Sequence, residues 1–273
     1  MRNVGRKLAF VLAASNHGTM IVNRFDYRMS GPDSGVGVGH QLLEAAAYDP
    51  VEVELALQLI EARRRFHGDG VVAIDCGANI GVHAVEWATA MTGWGSVVAI
   101  EAQERIYYAL AGNIAINNCF NAIAMNAAVA AERGVMSIPV PDYFTPSSFG
   151  SLELKPRADT EFIGQPIDYA DKTVAIEKIT IDALSLPRVD FIKLDIEGME
   201  LEALAGATET IARSRPIFLV GHIKASRDNL RAVFEQHGYK IADAGMNLLA
   251  IHRSDPVANE LQVPDLPAQS SAA

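Results

Sequence analysis

The chain has 273 residues, 23 basic against 33 acidic, and a formal net charge of -10. With 49% apolar residues it should bury a substantial core and fold rather than stay disordered. The acidic balance repels phosphate backbones, so nucleic acid is not expected as a partner. No apolar run approaches a membrane span, so no membrane partner is expected either.

At the start, Arg2, Arg6 and Lys7 precede the apolar stretch Leu8 to Ala14. The stretch is short and no small-x-small site follows in Ser15-Asn16-His17-Gly18, so a signal peptide is not expected. Residues 1–40 read as turns and short strands, punctuated by Gly31, Pro32, Gly35, Gly37 and Gly39. From His40 to Phe66 the pattern is helical. Leu42, Leu43, Ala46 and Ala47 form one short apolar stripe. Asp49 is a candidate N-cap for a second helix, with Pro50 at its first position. Arg63-Arg64-Arg65 reads as the wet end of that helix, which Gly68-Asp69-Gly70 closes. Residues 1–69 are thus expected to form an N-terminal extension whose helices pack on the core.

An alternation of strands and helices follows. Val71 to Asp75 is a continuous apolar run ending in an acid, as a strand buried on both faces reads in a parallel sheet. A glycine loop and a helix over 82–91 come next. Val97 to Glu101 is a second such strand, followed by a helix over 105–117 and a third strand over 123–129. Five prolines between Pro139 and Pro166 exclude long helices, so residues 130–170 read as an insertion that can carry substrate specificity or be a plain surface loop. The rhythm resumes with a strand over 189–195, a helix over 200–212, a strand over 217–220 and a helix over 227–237. Two strands joined at Gly245-Met246-Asn247 close it. Residues 254–273, rich in Pro, Ala and Ser, read as a disordered tail. Residues 70–253 are therefore expected to be an α/β domain: a mostly parallel sheet, helices on both faces, and a C-terminal antiparallel hairpin.

Ligands of such sheets bind at the carboxyl ends of the strands, at the switch point. The first loop there is Asp75-Cys76-Gly77-Ala78-Asn79-Ile80-Gly81. A nicotinamide dinucleotide needs bare backbone against its pyrophosphate and a G-x-G-x-x-G frame. Here Asn79 adds a side chain, and Asp75 sets a negative charge close to where phosphate would lie. S-adenosyl-L-methionine has no phosphate and carries an ammonium and a sulfonium, which an acid favours. The loop thus selects this cofactor, although taken alone D-x-G-x-x-x-G also fits a plain strand–helix turn. Glu101, at the end of the second strand, can accept from both ribose hydroxyls, a role that would suit NAD as well. Asn126 and Ala127, at the end of the third, can meet the adenine.

The loop after the fourth strand, Lys193-Leu194-Asp195-Ile196-Glu197-Gly198-Met199-Glu200, holds a second group of acids. Asp195 can orient the methionine end of the cofactor, take a proton from a hydroxyl, or ligate a divalent metal; as a plain helix cap it would do none of these. No ligand spacing calls for a metal. Glu197 shares the loop in a functional or a structural role, and Glu200 suits the first turn of a helix. His222, past the fifth strand, is a candidate base or an ordinary surface histidine. His83 reads as a local contact. Cys76 and Cys119 form no CxxC pair, which argues against a disulfide framework and for a reducing, cytoplasmic compartment.

Ile74-Asp75-Cys76-Gly77-Ala78-Asn79-Ile80-Gly81, Asn113-Ile114 with Asn117, and Lys193 to Glu200 together resemble FkbM-type methyltransferases. The resemblance spans roughly residues 70–222, and more loosely the closing strands to His252. It implies a Rossmann-like class I methyltransferase fold, S-adenosyl-L-methionine as donor, and O-methylation of a hydroxyl on a sugar, glycan or small molecule. By it Asp75, Gly77, Asn79, Gly81 and Glu101 match cofactor positions. Two stretches depart from the family pattern: Ala102-Gln103-Glu104 lacks its proline, and Val220-Gly221-His222 lacks its acid. Alternatives are a non-catalytic cofactor-binding module and a nicotinamide-dependent oxidoreductase. The sequence names neither the acceptor nor the oligomeric state.

Overall fold

The computed structural model describes residues 7–31 and 34–260. The described residues within 1–48 and 137–174 form one compact unit, and those within 49–136 and 175–260 another.

The smaller unit begins with a hairpin of β1 (Phe10–Ser15) and β2 (Gly18–Asn23). A second short antiparallel pair, β3 (Arg28–Met29) and β4 (Gly35–Val36), leads into α1 (Val38–Ala45). Asp26 ties these pieces together. Its buried carboxylate accepts from the amides of Gly39 and Phe149, each at 2.9 Å. Burial, opposed by these hydrogen bonds, pushes Asp26 up to about 6. A Cβ on Gly37 would meet the Asp26 carbonyl at 2.4 Å, so the chain closes here only around glycine.

The larger unit starts at α2 (Pro50–His67) and continues through β5 (Val71–Cys76), α3 (Val82–Ala90), β6 (Gly95–Glu101), α4 (Glu104–Ile116), β7 (Ala122–Asn126) and β8 (Ala128–Val129). Then β9 (Gly134–Pro139) and β10 (Thr173–Ile179) join β8 in a small sheet of order β8-β10-β9. After these come β11 (Phe191–Leu194), α5 (Glu200–Ala205), α6 (Thr208–Ser214), β12 (Ile217–Gly221), α7 (Arg227–Gln236), β13 (Tyr239–Ala244), β14 (Asn247–His252) and α8 (Val257–Glu260). The main sheet has the order β13-β14-β12-β11-β5-β6-β7. Its strands from β12 to β7 are parallel, and β14 runs antiparallel to both β12 and β13. This is the mostly parallel α/β sheet with a closing hairpin that the alternation predicts.

Alternate residues of the strands feed two cores. Ala73, Val97, Ala99, Phe191 and Leu219 pack with Leu59 of α2 and Trp87 of α3. Ile74, Val98, Ile192, Leu194 and Phe218 pack on the other face with Leu204, Ile211 and Phe234 of α5, α6 and α7. Period-two alternation of buried residues on both faces is what a central strand requires.

Several local expectations change. The unit that holds the sheet begins at residue 49 and so includes α2, whose Leu55, Ala56, Leu59, Ile60 and Ala62 are buried in its core. Residues 137–174 group with the first 48 instead of with the sheet. Asp49 precedes α2 in a left-handed conformation and makes no side-chain cap. The helix expected over 200–212 divides into α5 and α6 because Asp182 takes over the bonds at the join: its amide donates to the Gly206 carbonyl, and its carboxylate accepts from the amides of Glu209 and Thr210. Residues 254–260 are ordered, and residues 261–273 of the expected tail lie outside the described residues.

The cause of that order is Arg63, which is buried and not at a wet helix end. Its guanidinium lies 3.1 Å from Asp190 Oδ1 and pairs with Asp255, whose Oδ1 in turn accepts from the Val257 amide at the start of α8. Asp190 also accepts from Arg188 and from the Val72 amide. Breaking a buried pair leaves an uncompensated charge. Arg63→Met should therefore cost about 3–5 kcal/mol of stability, read as a lower denaturation midpoint. An unchanged midpoint would show that Asp190 and Asp255 do not depend on it.

Candidate cofactor-binding site

The carboxyl ends of β5, β6 and β11 meet at the switch point of the sheet. Gly77, Asn79 and Gly81 all have positive φ, at 81°, 50° and 88°. The amides of Gly77 and Ala78 donate to the Ile100 carbonyl at 2.9 and 3.0 Å, which folds the loop onto β6. A Cβ on Gly77 would stand 1.9 Å from the Asp195 carbonyl. The loops after β5 and β11 therefore touch only because this residue has no side chain. Asn79 holds its left-handed conformation with its own side chain, Oδ1 accepting from the Ile80 amide at 2.7 Å. Buried Asn113 donates to the Ile80 carbonyl at 2.8 Å and fixes the loop from α4.

Glu101 is buried at the end of β6. Its Oε2 accepts from the Asn79 amide at 3.0 Å, and its Oε1 from the Gln103 amide at 2.8 Å. The carboxylate is thus fixed in orientation, and each oxygen keeps a further lone pair. Burial raises Glu101 to about 7, against the pull of these two amides. Asn126 donates to the carbonyls of Glu101 and Ala102 at 2.9 and 3.1 Å, holding the turn after β6. Ala127 is buried between β7 and β8.

Asp75 lies directly across the β5–β11 pairing from Lys193. It is 1% exposed, and neither carboxylate oxygen has a hydrogen-bond partner. Burial raises its pKa, Lys193 and His83 lower it, and Asp195 and Glu52 raise it again. Asp195 stands just beyond β11, with Oδ2 at 2.9 Å from Lys193 Nζ. Its other side is kept open by Gly221, where a Cβ would come within 3.0 Å of Oδ1.

The remaining candidates divide. Glu197 has a positive φ of 55° and pairs with Lys224 at 2.6 Å. Burial and the neighbouring Asp195 push its pKa up, against the pull of Lys224. Glu200 accepts from the amides of Ile196 and Gly198, the first-turn role expected of it. His222 has Arg227, Arg231 and Asp243 as its charged neighbours, and burial, then Arg227, lowers its pKa. The structure therefore gathers Asp75, Gly77, Asn79, Gly81 and Glu101 at one place and links Asp195 to them through Lys193. It sets Glu197 in a separate pair and gives His222 different company.

Sequence reasoning missed Glu52, in the first turn of α2. Its Oε1 lies 3.2 Å from His83 Nε2 and 3.5 Å from Lys193 Nζ, and its Oε2 accepts from Asn247 at 2.6 Å. The available signal was Lys193 itself, a lysine inside an apolar strand that must find counter-charge. Among the described residues no group of three or more His, Cys, Asp or Glu is placed to hold a metal ion.

Residues 75–241 match the family model of the methyltransferase FkbM domain, more than half of the chain. The chain belongs to the FkbM methyltransferase family. That is a family of S-adenosylmethionine-dependent methyltransferases. Among solved structures, it is similar to the FkbM methyltransferase of Methylobacillus flagellatus, with 19% identity over 74% of this chain and 51% of that one, TM-score 0.47. The magnesium protoporphyrin IX methyltransferase of Synechocystis, solved with bound S-adenosylmethionine, is 12% identical over 74% of this chain and 78% of its own, TM-score 0.42. The precorrin-6y C5,15-methyltransferase of Geobacter metallireducens is 14% identical over 76% and 90%, TM-score 0.42. The chain matches about half, 51%, of the length of the first of these. None of the curated proteins matches it. The fold is that of class I methyltransferases.

The residues present fit the family's cofactor. Asp75 offers two buried acceptor oxygens with no donor, which an ammonium would supply. Glu101 offers two oriented oxygens, which a ribose diol would fill. A carboxylate that takes two hydroxyl donors must be ionised. Cofactor affinity should thus be nearly flat above pH of about 7 and fall by up to about tenfold per unit below it. Calorimetry across pH 5.5–8.5 checks this, and an affinity independent of pH would count against the ribose assignment.

Proposed function

We propose that this FkbM methyltransferase transfers the methyl group of S-adenosyl-L-methionine to a hydroxyl of a small molecule, sugar or glycan. The observation that carries the cofactor half is the buried, unpartnered carboxylate of Asp75. Around it stand Glu52 and Asp195 against Lys193 and His83, a cluster short of positive charge. A cationic ligand completes it. In this reading Asp75 takes the α-ammonium and Glu101 the ribose. Gly77, Asn79 and Gly81 let the loop backbone approach, and Asn126 and Ala127 border the adenine. Bound there, the cofactor supplies an electrophilic methyl carbon on a positively charged sulfur.

The acceptor half rests on Asp195. One oxygen is held by Lys193, and Gly221 leaves the other uncrowded. Asp195 would accept the proton of the acceptor hydroxyl, whose oxygen would take the methyl group that the cofactor supplies. Lys193 holds that carboxylate in orientation. Glu197 and His222 are the further candidates for contact with the acceptor. Free, buried Cys76 and Cys119 agree with a reducing, cytoplasmic setting. Burial raises both thiols, so neither is primed as a nucleophile.

Loss of a positioned base removes about 10²–10⁴-fold of rate. Asp195→Asn should lower kcat on that scale in a radiolabelled methyl-transfer assay over a panel of hydroxylated acceptors. Cofactor dissociation should change far less. Undiminished transfer by the variant would remove Asp195 from the chemistry.

A further inference from the structure

Lys193 lies among three acids, Asp195, Glu52 and Asp75. Its Nζ lies 2.9 Å from Asp195 Oδ2 and 3.5 Å from Glu52 Oε1. The strand register sets it opposite Asp75, on the face of the sheet toward α2 and α3, and the two interact electrostatically. Even so, both oxygens of Asp75 lack a hydrogen-bond partner. The ammonium is drawn away from its cross-strand acid by two others.

Of these two, Asp195 is half-exposed and stands just past the carboxyl end of the central strand β11, whereas Glu52 is anchored. Asn247 of β14 holds Glu52 Oε2 at 2.6 Å, and His83 of α3 lies 3.2 Å from Oε1. The first turn of α2 favours a negative charge there. Burial works to raise Glu52, but Lys193 and His83 outweigh it and hold the carboxyl below the usual range. Glu52 also lies upstream of residues 75–241, the part that matches the family model.

We propose that Glu52 is a positioning residue of the cofactor site: by holding Lys193 off Asp75, it keeps the Asp75 carboxylate open for the cofactor's α-ammonium. This rests on the cofactor reading above. Were Lys193 to swing onto Asp75, a buried pair would form that the incoming ammonium must break. Binding would weaken at the amino end of the ligand and nowhere else.

The test is calorimetry with S-adenosylhomocysteine and its analogue carrying hydrogen in place of the α-amino group. Glu52→Gln should raise Kd for the first by about tenfold or more, which is roughly 1.4 kcal/mol, and change the second by less than about twofold. Equal shifts for both ligands, or none for either, would overturn the proposal. Loss of charge alone would also weaken an ammonium, so Lys193→Met is made as well. In that background Glu52→Gln should cost less than about twofold, since there is no lysine left to swing. A tenfold loss there would point to simple charge removal and overturn positioning. If Glu52→Gln does not fold, Asn247→Ala loosens Glu52 without removing its charge and should show the same ligand-dependent pattern, smaller in size. A wild-type protein that binds neither ligand would contradict the cofactor reading itself, an outcome distinct from the others.

Discussion

A lysine and an aspartate face each other across two buried parallel strands without forming a pair. Lys193 and Asp75 occupy opposed positions in the β5–β11 register. Burying either charge is costly unless something compensates it. Lys193 is compensated by Glu52 and Asp195, and Asp75 by no hydrogen bond at all. The rest of the site follows from that imbalance. α2 must lie against the sheet to bring Glu52 in. β14 must insert beside β12 to bring Asn247 to Glu52. The glycine loop must reach the backbone of Asp195, which only Gly77 permits.

A second buried charge group does comparable structural work at the opposite ends of the strands. Asp190 precedes β11 and is fully buried, held by Arg63, Arg188 and the Val72 amide. One end of the β5–β11 pair is thus electrostatically closed. The other has its acid groups in excess. A closed end confers rigidity, and an end short of positive charge is where a cation binds. This division agrees with the rule that ligands of open α/β sheets bind past the carboxyl ends of the strands.

Much of the fold is legible in the residues. Apolar runs such as Val71 to Asp75 and Val97 to Glu101 predict central strands, and the turn at Gly245-Met246 predicts the closing hairpin, because these signals are local. Glycines 77 and 81 mark the loop for the same reason. What is not legible depends on contacts distant in sequence. The sequence shows Arg63 as one of three surface arginines, since its partners Asp190 and Asp255 are far along the chain. The break at Gly206 reflects Asp182, which takes the Glu209 and Thr210 amides and which no helical periodicity reveals. Glu52 reads as an ordinary first-turn acid until α2, α3, β11 and β14 come together. His222 draws attention by position alone, and its electrostatic neighbours turn out to be Arg227, Arg231 and Asp243.

Asp75 is the carboxylate proposed to meet the cofactor's ammonium. The most direct test of that role is calorimetric titration of wild type and Asp75→Asn with S-adenosyl-L-methionine. A hydrogen bond to a charged group contributes about 1.5–3 kcal/mol, so the variant should bind about ten- to a hundredfold more weakly while remaining folded. Equal dissociation constants for the two proteins would contradict it.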